Sequence, residues 1–333
     1  MQVMKELEQR RQSTRSSLMA EERGMLRLSI GEEELLSPPP PPARRHLKSP
    51  RPPRGLLGRS LIRVEALSRD QLRRLFSLAS AYKQAVEAHK SLELVLKGYV
   101  MALMFLEPST RTSSSFDAAM QRLGGRVLNL DAANSSVLKG ESLEDSVRVM
   151  GSYADILVLR TGKLGDPERA AGKCGVPVIN AGDGTGQHPT QALLDVFNIR
   201  EEIGTANKIT IAMVGDLKHG RTVHSLARLL TLYEGTHFIY VPAPGLQMPQ
   251  NRERFASAEE YEVAAAAIRL TPQLLSSARP DYPKIMHPLP RNEELSPELD
   301  SETSRAVYFR QARYGMFVRM ALLATILGRD DTH

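Results

Sequence analysis

The chain of 333 residues has no tryptophan, one cysteine and few aromatic residues, 5% in all. Each shortage excludes something. With Cys174 alone, no disulfide can form within the chain, and a reducing compartment, the cytoplasm, is the expected setting. Cys174 stands between Lys173 and Gly175 and reads as an incidental thiol rather than a nucleophile. No apolar run is long enough to span a bilayer, so no membrane partner is expected. Net positive charge is also scarce outside one end. The formal net charge is +6, but residues 1–60 hold 12 Lys/Arg against 7 Asp/Glu, while residues 61–333 hold 32 against 31. A body so nearly neutral, with little to stack on bases, gives no reason to expect a nucleic-acid partner.

Residues 1–59 differ from the rest. Pro38 to Pro42 run together, Arg44, Arg45, Arg51 and Arg54 follow among further prolines, and the apolar residues are scattered leucines. Such a composition buries too little surface to offset ordering, so a disordered leader with polyproline II character is expected. Glu6, Glu8, Glu21 and Glu22 speak against a mitochondrial transit peptide. From about Ser60 the texture is globular. Ser68 followed by Gln71 resembles a capping box, and Leu72, Leu75, Phe76, Leu78 and Ala79 share one helical face.

The most informative stretch is Phe105 to Phe116. The apolar run Tyr99–Phe105 reads as a buried parallel strand, Pro108 breaks it, and Ser109, Thr110, Arg111 and Thr112 open a helix marked by Phe116, Met120 and Leu123. Free amide N–H groups and the positive helix end suit a phosphate there, with hydroxyls and one guanidinium as further donors. An ordinary hydroxyl cap with a surface arginine fits the same residues. Arg126–Leu130 is a second predicted strand, and Ala154–Arg160 a third that ends in an arginine at the edge where open α/β sheets place ligands. Val176–Asn180 is a fourth. A glycine-rich loop then leads to His188, Pro189, Thr190 and Gln191, with the proline at a first helical turn. A histidine and a glutamine there can both face a carbonyl oxygen, and the helix dipole is expected to keep the imidazole neutral. Lys208–Val214 is a further strand, and Gly215 to Thr222 then resembles a nucleotide P-loop with Arg221 in place of its lysine. That rival reading, an NTPase, conflicts with Asp216 and with the poor exchange of Arg for Lys.

Together these motifs resemble the aspartate and ornithine transcarbamoylases, over residues 60–328. The Phe-x-Glu-x-Ser-Thr-Arg-Thr run is similar to that family's carbamoyl-phosphate signature, and His188-Pro189-Thr190-Gln191 to its carbamoyl-binding motif. Gly215-Asp216 with Gly220-Arg221-Thr222, and His287-Pro288-Leu289-Pro290-Arg291, are closest to the aspartate-specific members, including the version carried by the animal multifunctional pyrimidine enzyme.

The resemblance implies an α/β fold of two parallel-sheet, Rossmann-like domains with a cleft between them. They are residues 60–203 with a returning amphipathic helix within 306–328, and residues 204–305. It implies transfer of a carbamoyl group from carbamoyl phosphate to L-aspartate in pyrimidine biosynthesis, without metal, cofactor or covalent nucleophile. Ser109, Thr110, Arg111, Thr112, Arg160, His188, Gln191, Pro288 and Leu289 would bind carbamoyl phosphate, with Thr112, Arg160 and His188 catalytic. Ser135, Lys139 and Arg221 would bind aspartate, the first two reaching into a neighbouring subunit of a homotrimer.

Two departures stand out. Thr161-Gly162 replaces a usual His-Pro. Between Met248 and Arg252 several dozen family residues have no counterpart, including a helix, a strand and an Arg-x-Gln motif for the aspartate carboxylate; Pro249 and Asn251 stand at its positions. A second domain short of one helix–strand unit is therefore expected. An ornithine-type acceptor and a non-catalytic relative remain open.

Overall fold

The computed structural model describes residues 55–131, 140–242, 269–276, 278, 282–292 and 294–330. Along the chain run α1 (Arg69–Glu87), β1 (Val100–Phe105), α2 (Thr110–Arg122), β2 (Arg126–Asp131), α3 (Leu143–Tyr153), β3 (Ile156–Thr161), α4 (Asp166–Ala171), β4 (Val178–Asp183) and α5 (Pro189–Ile203). Then come β5 (Thr210–Gly215), α6 (Arg221–Leu230), β6 (His237–Pro242) and α7 (Tyr308–Ile326). The first helix begins as its sequence predicts. The Ser68 hydroxyl accepts from the Gln71 N–H at 3.3 Å, and the Ser68 N–H donates to the Gln71 side chain at 2.8 Å.

Strands β1 to β4 form one parallel sheet in the order β2-β1-β3-β4. Parallel strands need crossover helices, which cover both faces. Met101, Leu103, Phe105, Ile156 and Val158 pack with α1, α2, α5 and α7; Ala102, Met104, Leu157 and Leu159 pack with Val147, Met150 and Ala170 from α3 and α4. All the strands therefore end at one edge, where the loops to α2, α4 and α5 begin. Cys174 is buried in the second layer and burial pushes its thiol up, consistent with an inert side chain.

Three expectations need correction. Residues 55–59 belong to the fold and not to the leader. Leu56 is buried, the Gly58 N–H donates to the Ile326 carbonyl, and the Gln71 side chain donates to the Gly55 carbonyl. The rest of the leader lies outside the described residues. β4 continues through Ala181 to Asp183, where glycine suggested a loop, because the Asn180 side chain accepts from the Gly182 N–H at 2.7 Å and donates to the Ile62 carbonyl. And α7 is buried on nearly every face, where an amphipathic helix was expected, because it lies against α1, α2 and α5. Its seam with α5 is polar at intervals. Arg310 forks both Glu202 oxygens at 2.8 Å, and Gln311 meets Asp195.

β5 and β6 form a separate two-stranded parallel sheet, among the described residues. Met213 is buried and Ile211 and Phe238 are partly buried on the face toward α6. On the other face, Val214, Ile239 and Val241 are 53%, 50% and 39% exposed. Parallel sheets are ordinarily covered on both sides, so this face is unusual. The gap between Met248 and Arg252 lies outside the described residues.

Replacing Ser68 by alanine should cost about 1 kcal/mol of stability, read as a lower thermal midpoint; an unchanged midpoint would mean that the box contributes nothing. Threonine at both Ile239 and Val241 should reduce hydrophobic-dye binding and aggregation without lowering that midpoint. Undiminished dye binding would show that the apolar face is already covered in solution.

Candidate active site

The strand edge collects positive charge. Ser109 caps α2 without a side-chain cap bond, and Thr112 is buried one turn along. The hydroxyls of Ser109, Thr110 and Thr112 and the Arg111 guanidinium make no hydrogen bond to another described residue. They stand at the free N–H end of a 13-residue helix. Burial lowers the Arg111 pKa from its ordinary value.

Arg160, at the end of β3, does not snorkel outward; its side chain is only 12% exposed. Burial first, and then the neighbouring Arg221 and Arg111, push its guanidinium down to about 10 while Glu107 opposes them. Its Nε lies 3.2 Å from a Glu107 oxygen but without hydrogen-bond alignment, so this buried donor is unsatisfied. Arg221 opens α6 and reaches back to the same carboxylate, 3.4 Å from Nη2, and donates to the Gly184 carbonyl at 3.0 Å. Gly182, at φ +121°, makes room for it: a Cβ there would sit 3.0 Å from the Arg221 Cζ. One carboxylate thus bridges two arginines, with a third close by.

His188 caps α5 directly before Pro189, as its sequence predicts. It is buried, its N–H donates to the Ser225 hydroxyl at 3.0 Å, and Thr190 Oγ1 is 3.4 Å from Nδ1. Its pKa lies well below the ordinary histidine value, as expected. The causes are burial first, then the charges of Arg221, Arg160 and Arg319, rather than the helix dipole alone. Gln191 follows within the first turn of α5 and donates to Asp195 at 2.8 Å. Pro288 and Leu289 sit on an irregular segment. Its His287 N–H donates to Gln311 at 2.9 Å, and its Leu289 N–H, at φ +55°, donates to His287 Nδ1 at 2.9 Å.

The turn from Gly215 to Thr222 is no phosphate cradle of the P-loop kind. Asp216 Oδ1 accepts from the N–H groups of Lys218 and His219 at 3.0 and 2.9 Å, occupying the amides a phosphate would need. Ser135 and Lys139 lie outside the described residues. Three participants have no role predicted from sequence: Glu107, Asp195 and Gln311. Glu107 lies within the Phe-x-Glu-x-Ser-Thr-Arg-Thr run, which is the signal that could find it. Gln311 is remote in sequence, and nothing local marks it.

Asp195 is fully buried, and burial pushes its carboxyl up to about 7 despite Gln311, Gln191 and Arg319. Since its folded pKa is raised, its contribution to stability is fully present below pH 4, the unfolded value, and is lost as pH rises through about 7. Chemical denaturation from pH 4 to 8 should show this fall, and Asp195→Asn should flatten it. An equal slope in the variant would assign the pH dependence elsewhere.

Comparison with known proteins identifies the family. Residues 59–201 match the aspartate/ornithine carbamoyltransferase carbamoyl-P binding domain, and residues 246–326 the Asp/Orn binding domain of the same family. The multifunctional protein CAD of Squalus acanthias is 50% identical over 307 residues, which cover 82% of this chain and 14% of that protein. The chain thus spans a small part of the length of its multifunctional relatives. The aspartate carbamoyltransferase catalytic subunit of Methanothrix thermoacetophila is 42% identical over 304 residues, 81% of this chain and 98% of that subunit. The Trypanosoma cruzi aspartate transcarbamoylase solved with carbamoyl phosphate and aspartate superposes with a TM-score of 0.75 at 39% identity, covering 82% of this chain and 96% of that one. The two family matches and the similarity along 98% of the archaeal subunit place this chain in the aspartate/ornithine carbamoyltransferase family, among the aspartate transcarbamoylases.

Proposed function

We propose that the chain transfers the carbamoyl group of carbamoyl phosphate to the amine of L-aspartate, giving N-carbamoyl-L-aspartate and phosphate for pyrimidine synthesis. The observation that carries this is the buried Arg160 Nε without a hydrogen-bond partner, set among Arg111, Arg221 and the open N-terminus of α2. Such a site suits a doubly charged phosphate and a developing oxyanion. Ser109, Thr110, Arg111, Thr112 and Arg160 hold the phosphate. Neutral His188, with Thr112 and Arg160, donates to the carbonyl oxygen, worth roughly 3 kcal/mol per donor in the transition state. Gln191 and the carbonyls of Pro288 and Leu289 orient the carbamoyl nitrogen and the incoming amine.

The aspartate nitrogen attacks the carbonyl carbon, the bond from that carbon to the phosphate oxygen breaks, and the leaving phosphate takes the amine proton. Arg221 binds a carboxylate of aspartate, displacing Glu107. Ser135 and Lys139 act from a neighbouring subunit of a cytoplasmic homotrimer. The two domains are residues 60–203 with the C-terminal helix, and residues 204–305.

The second domain is short of a helix–strand unit, and two observations support this. The bare face of the β5–β6 sheet lacks the cover a parallel sheet needs. And 82% of 333 residues is about 273, so about 34 of the 307 positions aligned with the shark relative have no counterpart here. Without the Arg-x-Gln clamp, aspartate loses a bidentate partner, a loss of about 2–5 kcal/mol at a buried site. A carbamoyl-phosphate-binding subunit without turnover is therefore the second reading.

Carbamoyl-aspartate formation by the purified chain, with its mass in solution, decides between them. Turnover by a trimer, with a high KM for aspartate, is expected. His188→Ala should then lower kcat by about 10²–10³, and wild-type kcat should show no histidine limb between pH 6 and 8, because His188 stays neutral there. A trimer that binds carbamoyl phosphate without turnover establishes the second reading. Failure to bind carbamoyl phosphate would sink both.

A further inference from the structure

Between α5 and α7 lies a chain of buried polar groups, of which the proposed reaction uses only Gln191 directly. Asp195 Oδ1 accepts two hydrogen bonds, from Gln191 Nε2 at 2.8 Å and from Gln311 Nε2 at 2.6 Å. Asp195, Gln191 and Gln311 are 4%, 8% and 2% exposed. A glutamine amide can sit either way round, and a buried carboxylate oxygen is the partner that decides, because it accepts and attracts the N–H side. With both nitrogens held by Asp195, each amide turns its oxygen away. The Gln311 oxygen accepts the His287 N–H at 2.9 Å. The Gln191 oxygen takes no described partner, and an acceptor is what a carbamoyl NH₂ requires.

We propose that Asp195 and Gln311 are positioning residues: Asp195 fixes the orientation of both glutamine amides, so that Gln191 presents a carbonyl oxygen to the carbamoyl nitrogen while Gln311 anchors the backbone of the His287–Leu289 segment. The consequence for substrate rests on the roles proposed above for Gln191, Pro288 and Leu289; the anchoring of the segment does not. The network explains why two stretches that are distant in sequence, 188–191 and 287–289, are held in register. Each is tied to the same carboxylate, one through a residue on its own helix and the other through α7. Arg319 is the charged group facing Asp195 from α7. It donates to Ser115 Oγ at 2.9 Å, and Gly315 leaves the space it occupies, since a Cβ there would lie 2.5 Å from its Nη1.

The test uses Asp195→Leu, Asp195→Asn and Gln311→Leu in the full chain, with two readouts. One is the KM for carbamoyl phosphate against kcat. The other is amide hydrogen exchange of residues 286–291 against that of β1. Asp195→Leu should raise both the KM and exchange at His287 about tenfold, the loss of one buried hydrogen bond, while β1 stays protected. Asp195→Asn, which keeps an acceptor at Oδ1, should restore most of each. Gln311→Leu should speed exchange at His287 with a smaller effect on the KM. Unchanged exchange at His287 in Asp195→Leu and Gln311→Leu would overturn the proposal, as would exchange rising equally in β1, which is general destabilisation. Should Asp195→Leu fail to fold, Gln311→Leu against Asp195→Asn decides on the same exchange readout. A wild-type chain without carbamoyl transfer would count against the proposed function, and the exchange results would still stand or fall alone.

Discussion

Three guanidinium groups share one small space at the strand edge, and the rest of the structure is arranged to make that tolerable. Arg160 is buried and pushed down to about 10 by burial and by its neighbours. Like charges this close repel, and only Glu107 among them answers with negative charge. A site held in this condition favours any ligand that brings anions of the right shape. The carboxylate on the turn after β1 offsets part of that charge by lying 3.2 Å from Arg160 and 3.4 Å from Arg221.

The parallel sheet supplies the geometry. Four strands running the same way deliver the turns after β1, β3 and β4 to one edge. Burial on both faces leaves that edge little freedom to spread. α5 then brings His188 in at its N-terminus, where burial and three arginines keep the imidazole uncharged. A neutral histidine in a cationic pocket is a donor, not an acid, and that suits stabilising an oxyanion. The second layer of organisation is the α5–α7 seam, where Asp195 ties the first turn of α5 to α7.

The β5–β6 region follows different rules. A two-stranded parallel sheet with Val214, Ile239 and Val241 exposed carries an apolar surface of the kind that parallel sheets ordinarily bury. The proposed phosphate site rests on the first sheet, whose strands β1, β3 and β4 are buried, whereas the proposed aspartate contacts fall where cover is short.

Much was legible in the sequence because it is local. The Ser68–Gln71 capping box, the continuous burial of β1 and the proline-led start of α5 each follow from residues a few positions apart, and the structure reproduces them. So do the signature residues at the start of α2, whose chemistry does not depend on what lies across the molecule. Strand ends were less legible: β4 runs on to Asp183 because Asn180 bonds to Ile62 and Gly182, and a glycine there reads equally as a loop. Tertiary structure alone decided the rest. It turned α7 from an apparently amphipathic helix into one buried between three others. It set Glu107 between Arg160 and Arg221, and it gave Asp195 two glutamines, one of them 116 residues away. Periodicity and caps record what a residue does for its own element. Shared charge and shared acceptors arise only when distant elements meet, and no local pattern encodes them.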